Sequence, residues 1–288
     1  MSTKTTFQLK AEIIYNKRVK DVYWHCLLNA PALAREAHAG QFVQIRLSDS
    51  LEPFLRRPFS IHRARGGEVE ILYQVLGRGT EVFAKKKAGE YLDLIGPLGN
   101  GFELLPGRLK PNPLIIAGGM GVAPLLFLAE KLAYSIERRA YRKDKGFELS
   151  AKRYPLNAIV LIGAKTKDQI LCEKDFIDSG YSVKIATDDG SRGFKGYVSD
   201  LLKKELSTID HRPSTIYACG PKPMLKEVAA LSKKYKIPAQ LSLEEHMACG
   251  IGACLGCTVN TKTGFKRVCK EGPVFGAPEL IWSNETQA

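Results

Sequence analysis

The sequence contains no apolar run that approaches the roughly 20 residues of a membrane-spanning helix. Its first residues are polar and no apolar segment follows them, so we expect no signal peptide. Acidic residues are in deficit, with 30 Asp and Glu against 43 Lys and Arg, for a formal charge of +13. The basic residues stand in short scattered groups, and no aromatic RNA-binding motif is interleaved with them. We therefore expect no membrane span and no nucleic-acid binding, and assign the charge to solvated faces that attract phosphate-bearing cofactors or an acidic partner.

Cysteine is sparse as well, at seven residues in 288, but four of them form one group near the end of the sequence. The group consists of Cys249, Cys254, Cys257 and Cys269. Its spacing is C-x4-C-x2-C, followed after eleven residues by the fourth cysteine. This spacing matches the plant-type ferredoxin run, whose thiolates hold a [2Fe-2S] cluster. Gly250, Gly252 and Gly256 would let the backbone fold tightly there, so that amide N–H groups point at the sulfurs.

Three other interpretations of these four cysteines stay open. Structural zinc is one, although zinc ligands usually come as two close-set pairs. Two disulfides are another, although the first three cysteines are too close together for an easy pairing. Simple burial is the third. The other cysteines, Cys26, Cys172 and Cys219, are predicted to be inert buried thiols. Four of the seven cysteines have the spacing of metal ligands, and this indicates a reducing, cytoplasmic compartment.

In the first hundred residues, the hydrophobic pattern has the two-residue period of short β-strands. Apolar and polar residues alternate over 43–47, with Gln44 and Arg46 on the polar side. Over 68–73, Val69, Ile71 and Tyr73 repeat the pattern, with Glu68, Glu70 and Leu72 between them. This alternation predicts half-buried strands. Glycines recur between such runs at turn-like intervals. The pattern predicts an antiparallel β-barrel.

Two motifs within this barrel carry groups suited to a phosphate-bearing ligand. Arg57-Pro58-Phe59-Ser60 combines a fixed backbone, a flat aromatic face, a hydroxyl and a guanidinium that can grip a phosphate. An edge strand with a surface arginine would give the same pattern. Gly77-Arg78-Gly79-Thr80 would present backbone amides and a hydroxyl to an anion. It would equally form a hairpin turn and the N-cap of a helix starting near Glu81.

After residue 112 the pattern changes to apolar strands that alternate with helices, which predicts a parallel sheet covered on both faces. One strand ends at Gly118-Gly119-Met120-Gly121, where a helix follows, and another ends at Cys219-Gly220-Pro221. Ligands of such sheets bind at the carboxyl ends of the strands, so both turns are candidate nucleotide contacts. A tight structural turn would also explain the glycines. A helix is predicted from about Asp168, and the basic segment 135–154 is given no function.

The turn after the strand 182–186 bears on the choice of nucleotide. Asp188 and Asp189 would accept hydrogen bonds from ribose hydroxyls and repel a 2′-phosphate, which favours NAD(H). Arg192, with Ser191, would instead make a phosphate-binding pair and favour NADP(H). The two aspartates would also serve simply as turn caps.

With these motifs in hand, nearly the whole sequence resembles the ferredoxin reductase superfamily and, more narrowly, the electron-transfer subunit of type B dihydroorotate dehydrogenase. The narrower resemblance rests on 247–257 and 268–275, whereas 135–154 looks like an insertion. It implies an antiparallel FAD-binding β-barrel domain over 1–106. A parallel-sheet NAD-binding α/β domain over 107–237 and a small [2Fe-2S] cluster domain over 238–288 would follow.

The resemblance also implies the cofactors and their residues. FAD is placed on Arg57, Pro58, Phe59, Ser60, Leu72, Tyr73, Gln74, Gly79 and Thr80. The nicotinamide nucleotide is placed on Gly118, Gly119, Gly121, Cys219, Gly220 and Pro221. The cluster is placed on the four grouped cysteines.

The implied activity is that of an NAD-dependent flavin and iron–sulfur oxidoreductase subunit with no catalytic residue for dihydroorotate. The partner would be a catalytic subunit carrying FMN, two of each chain forming a heterotetramer. Electrons would pass from it through the cluster and FAD to NAD+, in pyrimidine (UMP) biosynthesis. The alternatives are a subunit of another flavin and iron–sulfur reductase (ferredoxin:NADP or sulfide-related), a stand-alone reductase, and a zinc-stapled binding module.

Overall fold

The computed structural model describes residues 5–48, 50, 52–104, 112–143, 158–208 and 212–282. The chain forms two compact units. The first takes the residues up to 102 together with 243–274, and the second takes 103–242 and 275–282. The four grouped cysteines therefore belong to the same unit as the N-terminal sheet. The three predicted functional domains stay a prediction, because compactness alone does not define them.

The N-terminal part of the first unit is an antiparallel sheet with two short helices. Its elements are β1 (Phe7–Lys20), β2 (Tyr23–Asn29), α1 (Pro31–Glu36), β3 (Phe42–Arg46), β4 (Arg57–Ser60), β5 (Arg63–Arg65), β6 (Glu68–Gln74), α2 (Arg78–Ala84) and β7 (Tyr91–Leu98). The strand order is β4-β3-β7-β1-β2-β6-β5. The edge strands β4 and β5 follow one another along the chain, and the N–H of His62 between them donates to Glu70 O on β6 at 2.8 Å. The two edges thus meet, and the predicted antiparallel barrel is confirmed.

The second unit is built on a parallel sheet, as predicted. Its elements are β8 (Pro113–Gly118), α3 (Val122–Lys143), β9 (Ile159–Ala164), α4 (Glu173–Asp178), β10 (Ser182–Thr187), β11 (Phe194–Lys195), α5 (Val198–Thr208), β12 (Thr215–Cys219), α6 (Lys222–Lys234) and β13 (Ala239–Ser242). The first unit then adds the hairpin β14 (Thr258–Thr261) and β15 (Gly264–Arg267), and β16 (Val274–Gly276) follows. The strand order is β11-β10-β9-β8-β12-β13-β16. Starting from β8, the chain first adds strands on one side, as far as β11, and then adds β12 on the other side, so the topological switch point lies between β8 and β12. A ligand crevice is expected at that switch point.

Helix α3 is the core helix of the second unit. Its residues Leu125, Leu128, Ala129 and Leu132 have the i, i+3, i+4, i+7 spacing of one helical face, and all four are buried. Within the described residues, Gly119–Ile136 is the one helical window long and apolar enough to cross a membrane, and 61% of it is buried inside the protein. That burial is what the core helix of a globular unit shows.

Some local predictions were wrong. Helix α2 begins at Arg78 instead of near Glu81. The hydroxyl of Thr80 accepts the N–H groups of Leu76 and Gly77 at 2.9 and 3.2 Å, so it closes the first turn from inside the helix. The helix expected from Asp168 is only a 3-10 turn, and α4 starts at Glu173. Residues 144–154 of the basic segment lie outside the described residues.

Candidate functional site

The four grouped cysteines form two contacting pairs in the first unit. All four are free thiols. In each pair one cysteine donates its backbone N–H to the sulfur of the other: Cys254 to Cys249 Sγ and Cys269 to Cys257 Sγ, both at 3.4 Å. The hairpin of β14 and β15 separates Cys257 from Cys269 in sequence, and its antiparallel pairing brings them back together. A two-iron cluster held by four thiolates takes two of them on each iron, so this pairing fits its donor set.

Backbone amides point at these sulfurs, as the glycine-rich spacing predicts. Cys249 Sγ accepts the N–H groups of Ala253 and Cys254 at 3.3 and 3.4 Å, and Cys257 Sγ accepts that of Cys269 at 3.4 Å. Burial works to raise the pKa of Cys249, but the backbone donors, Cys254 first and then Ile251, outweigh it and lower that pKa to about 6. Burial raises the pKa of Cys269 to about 12, with the adjoining Cys257 thiol acting in the same direction. The backbone donors of the loop therefore stabilise negative charge on Cys249, whereas burial opposes it on Cys269.

An ion pair that the sequence analysis missed fixes the cluster loop to the hairpin. Arg267, the last residue of β15, donates from Nη1 to the carbonyl of Gly252 at 2.7 Å. Its Nε donates to Glu271 Oε2 at 3.0 Å, and the backbone N–H of Arg267 donates to the same oxygen at 2.7 Å. The i, i+4 spacing of Arg267 and Glu271 was the one signal in the sequence. Their contact holds the loop that carries Cys249 and Cys254 against the turn that carries Cys269.

The cluster loop also covers one face of the barrel strand β3. Gln44 was predicted to lie on the polar side of a half-buried strand, and this was wrong, because its exposed fraction is 0%. A Cβ on Gly250, whose φ is +67°, would lie 2.1 Å from Gln44 Nε2. Only glycine leaves room for the Gln44 amide at this point of the loop. The loop is therefore seated directly on the barrel.

The predicted flavin motif is divided between the two faces of β4. Arg57 and Phe59 pair with Ile45 and Val43 on β3, whereas Pro58 and Ser60 pair with Gln44 and Phe42. Directly opposite residues of an antiparallel pair share a face, so Pro58 and Ser60 lie on the face that the cluster loop covers.

The ring of Phe59 belongs to the aromatic core of the barrel. It packs edge-on against Tyr73 and Phe83, with centroids 5.8 and 5.2 Å away, and only 8% of the residue is exposed. The prediction that this ring offers a flat face to a ligand is therefore corrected, and what Phe59 can offer is its backbone. Leu72 is also buried, and Tyr73 donates its hydroxyl to Asn16 Oδ1 at 3.0 Å. Gln74 is half-buried at the end of β6.

The barrel brings Arg57 together with the Gly77–Thr80 motif. A Cβ on Gly79 would lie 3.2 Å from Arg57 Nε, so the guanidinium lies directly over this glycine. Arg57 Nη1 donates to the carbonyl of Leu55 at 2.7 Å, and among the described residues it forms no ion pair. The preceding Arg56 is bound to Asp93 Oδ2 at 2.7 Å. Arg57 is thus the arginine whose charge remains available to an anion.

In the second unit the two predicted nucleotide turns adjoin at the switch point of the sheet. A Cβ on Gly121 would lie 2.0 Å from the carbonyl oxygen of Cys219, and one on Gly118 would lie 2.8 Å from Pro221 Cδ. Gly119 has φ +54° and no heavy atom within 4 Å of its Cβ position, so its backbone is open. Cys219 and Cys26 are buried thiols, as predicted, whereas Cys172 is only half-buried and that prediction was wrong.

Two family models match this chain. The iron–sulfur cluster binding domain of dihydroorotate dehydrogenase B matches residues 244–281, and the oxidoreductase NAD-binding domain matches residues 115–230. These ranges contain the four grouped cysteines and both nucleotide turns.

Solved structures of similar fold include ferredoxin reductases. The NADH-dependent reduced ferredoxin-NADP oxidoreductase is similar with a TM-score of 0.77 and 28% identity, over 95% of this chain and 90% of that chain. A ferredoxin NADP+ reductase from Neisseria gonorrhoeae with bound FAD and NADP has a TM-score of 0.60 and 17% identity, over 79% of this chain and 91% of that chain. The latter likeness concerns the fold alone.

Curated relatives cover almost the full length. The dihydroorotate dehydrogenase B (NAD(+)) electron transfer subunit of Desulforamulus reducens is 37% identical over 282 residues, which is 93% of this chain and 98% of that protein. The subunit of the same name from Caldanaerobacter subterraneus subsp. tengcongensis is 36% identical over 96% of this chain and 99% of that protein. The chain therefore belongs to the family of dihydroorotate dehydrogenase B electron transfer subunits.

Proposed function

We propose that this protein carries electrons from a dihydroorotate-oxidising catalytic subunit to NAD+, in the pyrimidine (UMP) biosynthetic pathway. The observation that carries the proposal is the arrangement of four free thiols as two contacting pairs, with backbone N–H groups directed at the sulfurs. This arrangement suits a one-electron iron–sulfur centre. No side chain of the protein is needed for chemistry on dihydroorotate.

Each cofactor has a set of residues that would hold it. Cys249, Cys254, Cys257 and Cys269 would hold the [2Fe-2S] cluster. Arg57 with Gly79 and Thr80 would bind the pyrophosphate of FAD, and Pro58, Ser60 and the backbone of Phe59 and 72–74 would line its ring. The backbones of Gly118–Gly121 and Cys219–Pro221 would hold the nicotinamide nucleotide at the helix start and the strand end.

The combination of sites matches the electron count of the reaction. A nicotinamide exchanges a hydride, which is two electrons at once, whereas an iron–sulfur cluster exchanges one. When bound, FAD supplies the conversion between the two modes. The protein's own contribution is to hold these groups.

The surface around the cluster loop supports a role in contacting a partner chain. Ile251 and Leu255 on the loop are 53% and 61% exposed, and Phe265 on the adjoining hairpin is 78% exposed. Apolar side chains grouped at the surface are typical of interaction sites. The partner is a catalytic subunit that carries FMN, and two copies of each chain form the complete enzyme.

The test is to isolate the complex from its native source, identify the chain that copurifies, and measure dihydroorotate-dependent reduction of NAD+. Cys254→Ser should lose iron and abolish this activity, while the oxidation of NADH by an artificial acceptor of flavin electrons continues. The control is Cys172→Ser, which should retain iron and both activities because this cysteine lies outside the group of four.

Two results would contradict the proposal. One is a colourless protein that contains zinc, which would indicate a structural metal site. The other is a copurifying chain without dihydroorotate oxidation, which would indicate a reductase subunit of another complex.

A further inference from the structure

Gln44 carries a buried polar atom that no described residue pairs with. It lies in the middle of β3, and its exposed fraction is 0%. Its Nε2 lies 4.0 Å from Met247 Sδ, a weak contact at the limit of hydrogen bonding. Its Oε1 is the buried side-chain oxygen that has no hydrogen-bond partner among the described residues. Such an orphaned acceptor is costly and needs an explanation.

A second buried glutamine shows what a purely structural residue looks like in this barrel. Gln41 is 4% exposed. Its Oε1 accepts the N–H of His38 at 2.8 Å, and its Nε2 donates to the carbonyl of Gly99 at 2.9 Å. Both ends of the Gln41 amide are satisfied by the chain. Gln44, three residues on, differs because its Oε1 accepts no hydrogen bond from the part of the chain that the structure describes.

The position of Gln44 indicates what the missing partner is. It stands directly opposite Pro58 on β4, so the two residues share one face of the barrel with Ser60. The other side of the Gln44 amide abuts Gly250. In the sequence this glycine lies in the cluster loop, after Met247 and Cys249 and before Ile251. A single side chain thus contacts the cluster loop and stands on the face that carries the proposed contacts to the flavin ring.

We propose that Gln44 is a positioning residue between the two redox sites. The proposal rests on the proposed function, since it requires bound FAD. The oxidised isoalloxazine ring has one N–H group, at N3, and Gln44 Oε1 accepts its hydrogen bond when FAD is bound. The same amide packs against Gly250, so one side chain sets the position of both the isoalloxazine ring and the cluster loop.

The experiment compares Gln44→Met with Gln41→Met in the complete, cluster-containing protein. Methionine matches the length of glutamine but has no amide. Gln44→Met should weaken FAD binding by about two- to tenfold, the effect of one lost hydrogen bond, and shift the visible absorption maxima of the bound flavin. Its iron content should not change. The melting temperature of its flavin-free form should stay at or above that of the wild type, because an unpaired buried acceptor has been removed. Gln41→Met should lower the melting temperature and leave the flavin spectrum unchanged.

A measurement on the wild type keeps the proposal testable if either variant folds poorly. N3-methyl FAD lacks the proposed donor, so the wild-type protein should bind it about two- to tenfold more weakly than FAD. Equal binding of the two flavins would overturn the proposal. So would an unchanged flavin affinity and spectrum in Gln44→Met, or a flavin-free Gln44→Met protein as destabilised as Gln41→Met. A wild-type protein that binds no FAD at all would instead refute the proposed function, on which this inference depends.

Discussion

At the scale of single residues, two adjacent arginines show how context decides a role. Arg56 places both terminal nitrogens on Asp93, with Nη1 2.7 Å from its carbonyl oxygen and Nη2 2.7 Å from Oδ2. Arg57 donates to backbone carbonyls and lies over Gly79. The sequence shows two identical side chains here, and only the fold separates the one that is paired from the one that is available.

Arg57→Ala should therefore weaken FAD binding without unfolding the barrel. A charge-assisted contact to a pyrophosphate is worth about 1.5–3 kcal/mol, which corresponds to roughly a ten- to hundredfold loss of affinity. The measurement is the flavin retained after dialysis together with the dissociation constant. Arg56→Ala is the matched control, and it should retain flavin because its partner is Asp93. Equal flavin loss in the two variants would contradict the assignment of Arg57.

The same scale shows what the sequence could and could not predict. The four cysteines and Gly118–Gly121 were identifiable because their chemistry depends on local spacing. Gln44 and Arg267 were not, because their roles depend on contacts to Gly250 and Gly252, and the Gln44 contact spans some 200 positions of the chain. The flat face expected of Phe59 failed for a related reason, since Tyr73 and Phe83 are remote in sequence and cover the ring.

At the scale of elements, alternation along a strand predicted which side chains are apolar but not what covers each face. The polar side of β3 is buried because a loop from the far end of the chain lies on it. The parallel sheet was easier to predict, because strands buried on both faces are continuous apolar runs. The start of α2 was missed because the residue that closes its first turn, Thr80, lies inside the helix.

The strands β2, β5 and β6 share a buried network centred on Glu70, and this network makes stability depend on pH. Glu70 Oε2 lies 3.0 Å from His25 Nε2 and 3.4 Å from Arg63 Nη1. Burial works to raise the pKa of Glu70, but the hydrogen bond to His25 and the charge of Arg63 outweigh it and lower that pKa from 4.5 to about 2. A carboxyl whose pKa is lower in the folded state stabilises the fold above its unfolded pKa and loses that effect as the pH falls.

Glu70→Gln should consequently lower the free energy of unfolding at pH 7 by an amount on the order of 3 kcal/mol. The difference from the wild type should narrow as the pH falls from 4.5 toward 2, the interval between the two pKa values. Urea unfolding of both proteins at a series of pH values measures it. Glu68→Gln, on the same strand, is the control and should change stability little. A difference that stays constant down to pH 3 would show that the Glu70 carboxylate does not contribute through its charge.

At the scale of the whole molecule, the proposed cofactor sites are distributed over the two compact units. The first unit combines the thiol pairs with the proposed flavin face, and the second carries the glycine turns at the switch point of a parallel sheet. The cluster and the flavin are thus proposed for one unit and the nicotinamide nucleotide for the other. The terminal acceptor is then fixed by the side chains around the proposed nucleotide site in the second unit.

Those side chains favour NAD(H) over NADP(H). Asp188 and Asp189 directly follow β10, and hydrogen bonds from Ser191 lower the pKa of Asp189. Arg192, the residue that would favour a 2′-phosphate, donates from Nη2 to Glu173 Oε1 at 2.8 Å. Ser191 and Arg192 are therefore both engaged within the protein.

The ion pair between Arg192 and Glu173 gives the nucleotide preference a direct test. The wild-type protein should oxidise NADH with a higher kcat/KM than NADPH in the presence of an artificial electron acceptor. Glu173→Gln removes the partner of Arg192 and frees the guanidinium for a phosphate, so it should raise kcat/KM for NADPH and leave that for NADH nearly unchanged. Asp178→Asn removes a charge from the same helix without touching Arg192 and should alter neither value. A wild-type preference for NADPH, or no preference, would mean that the aspartates do not contact the ribose and act only as turn caps.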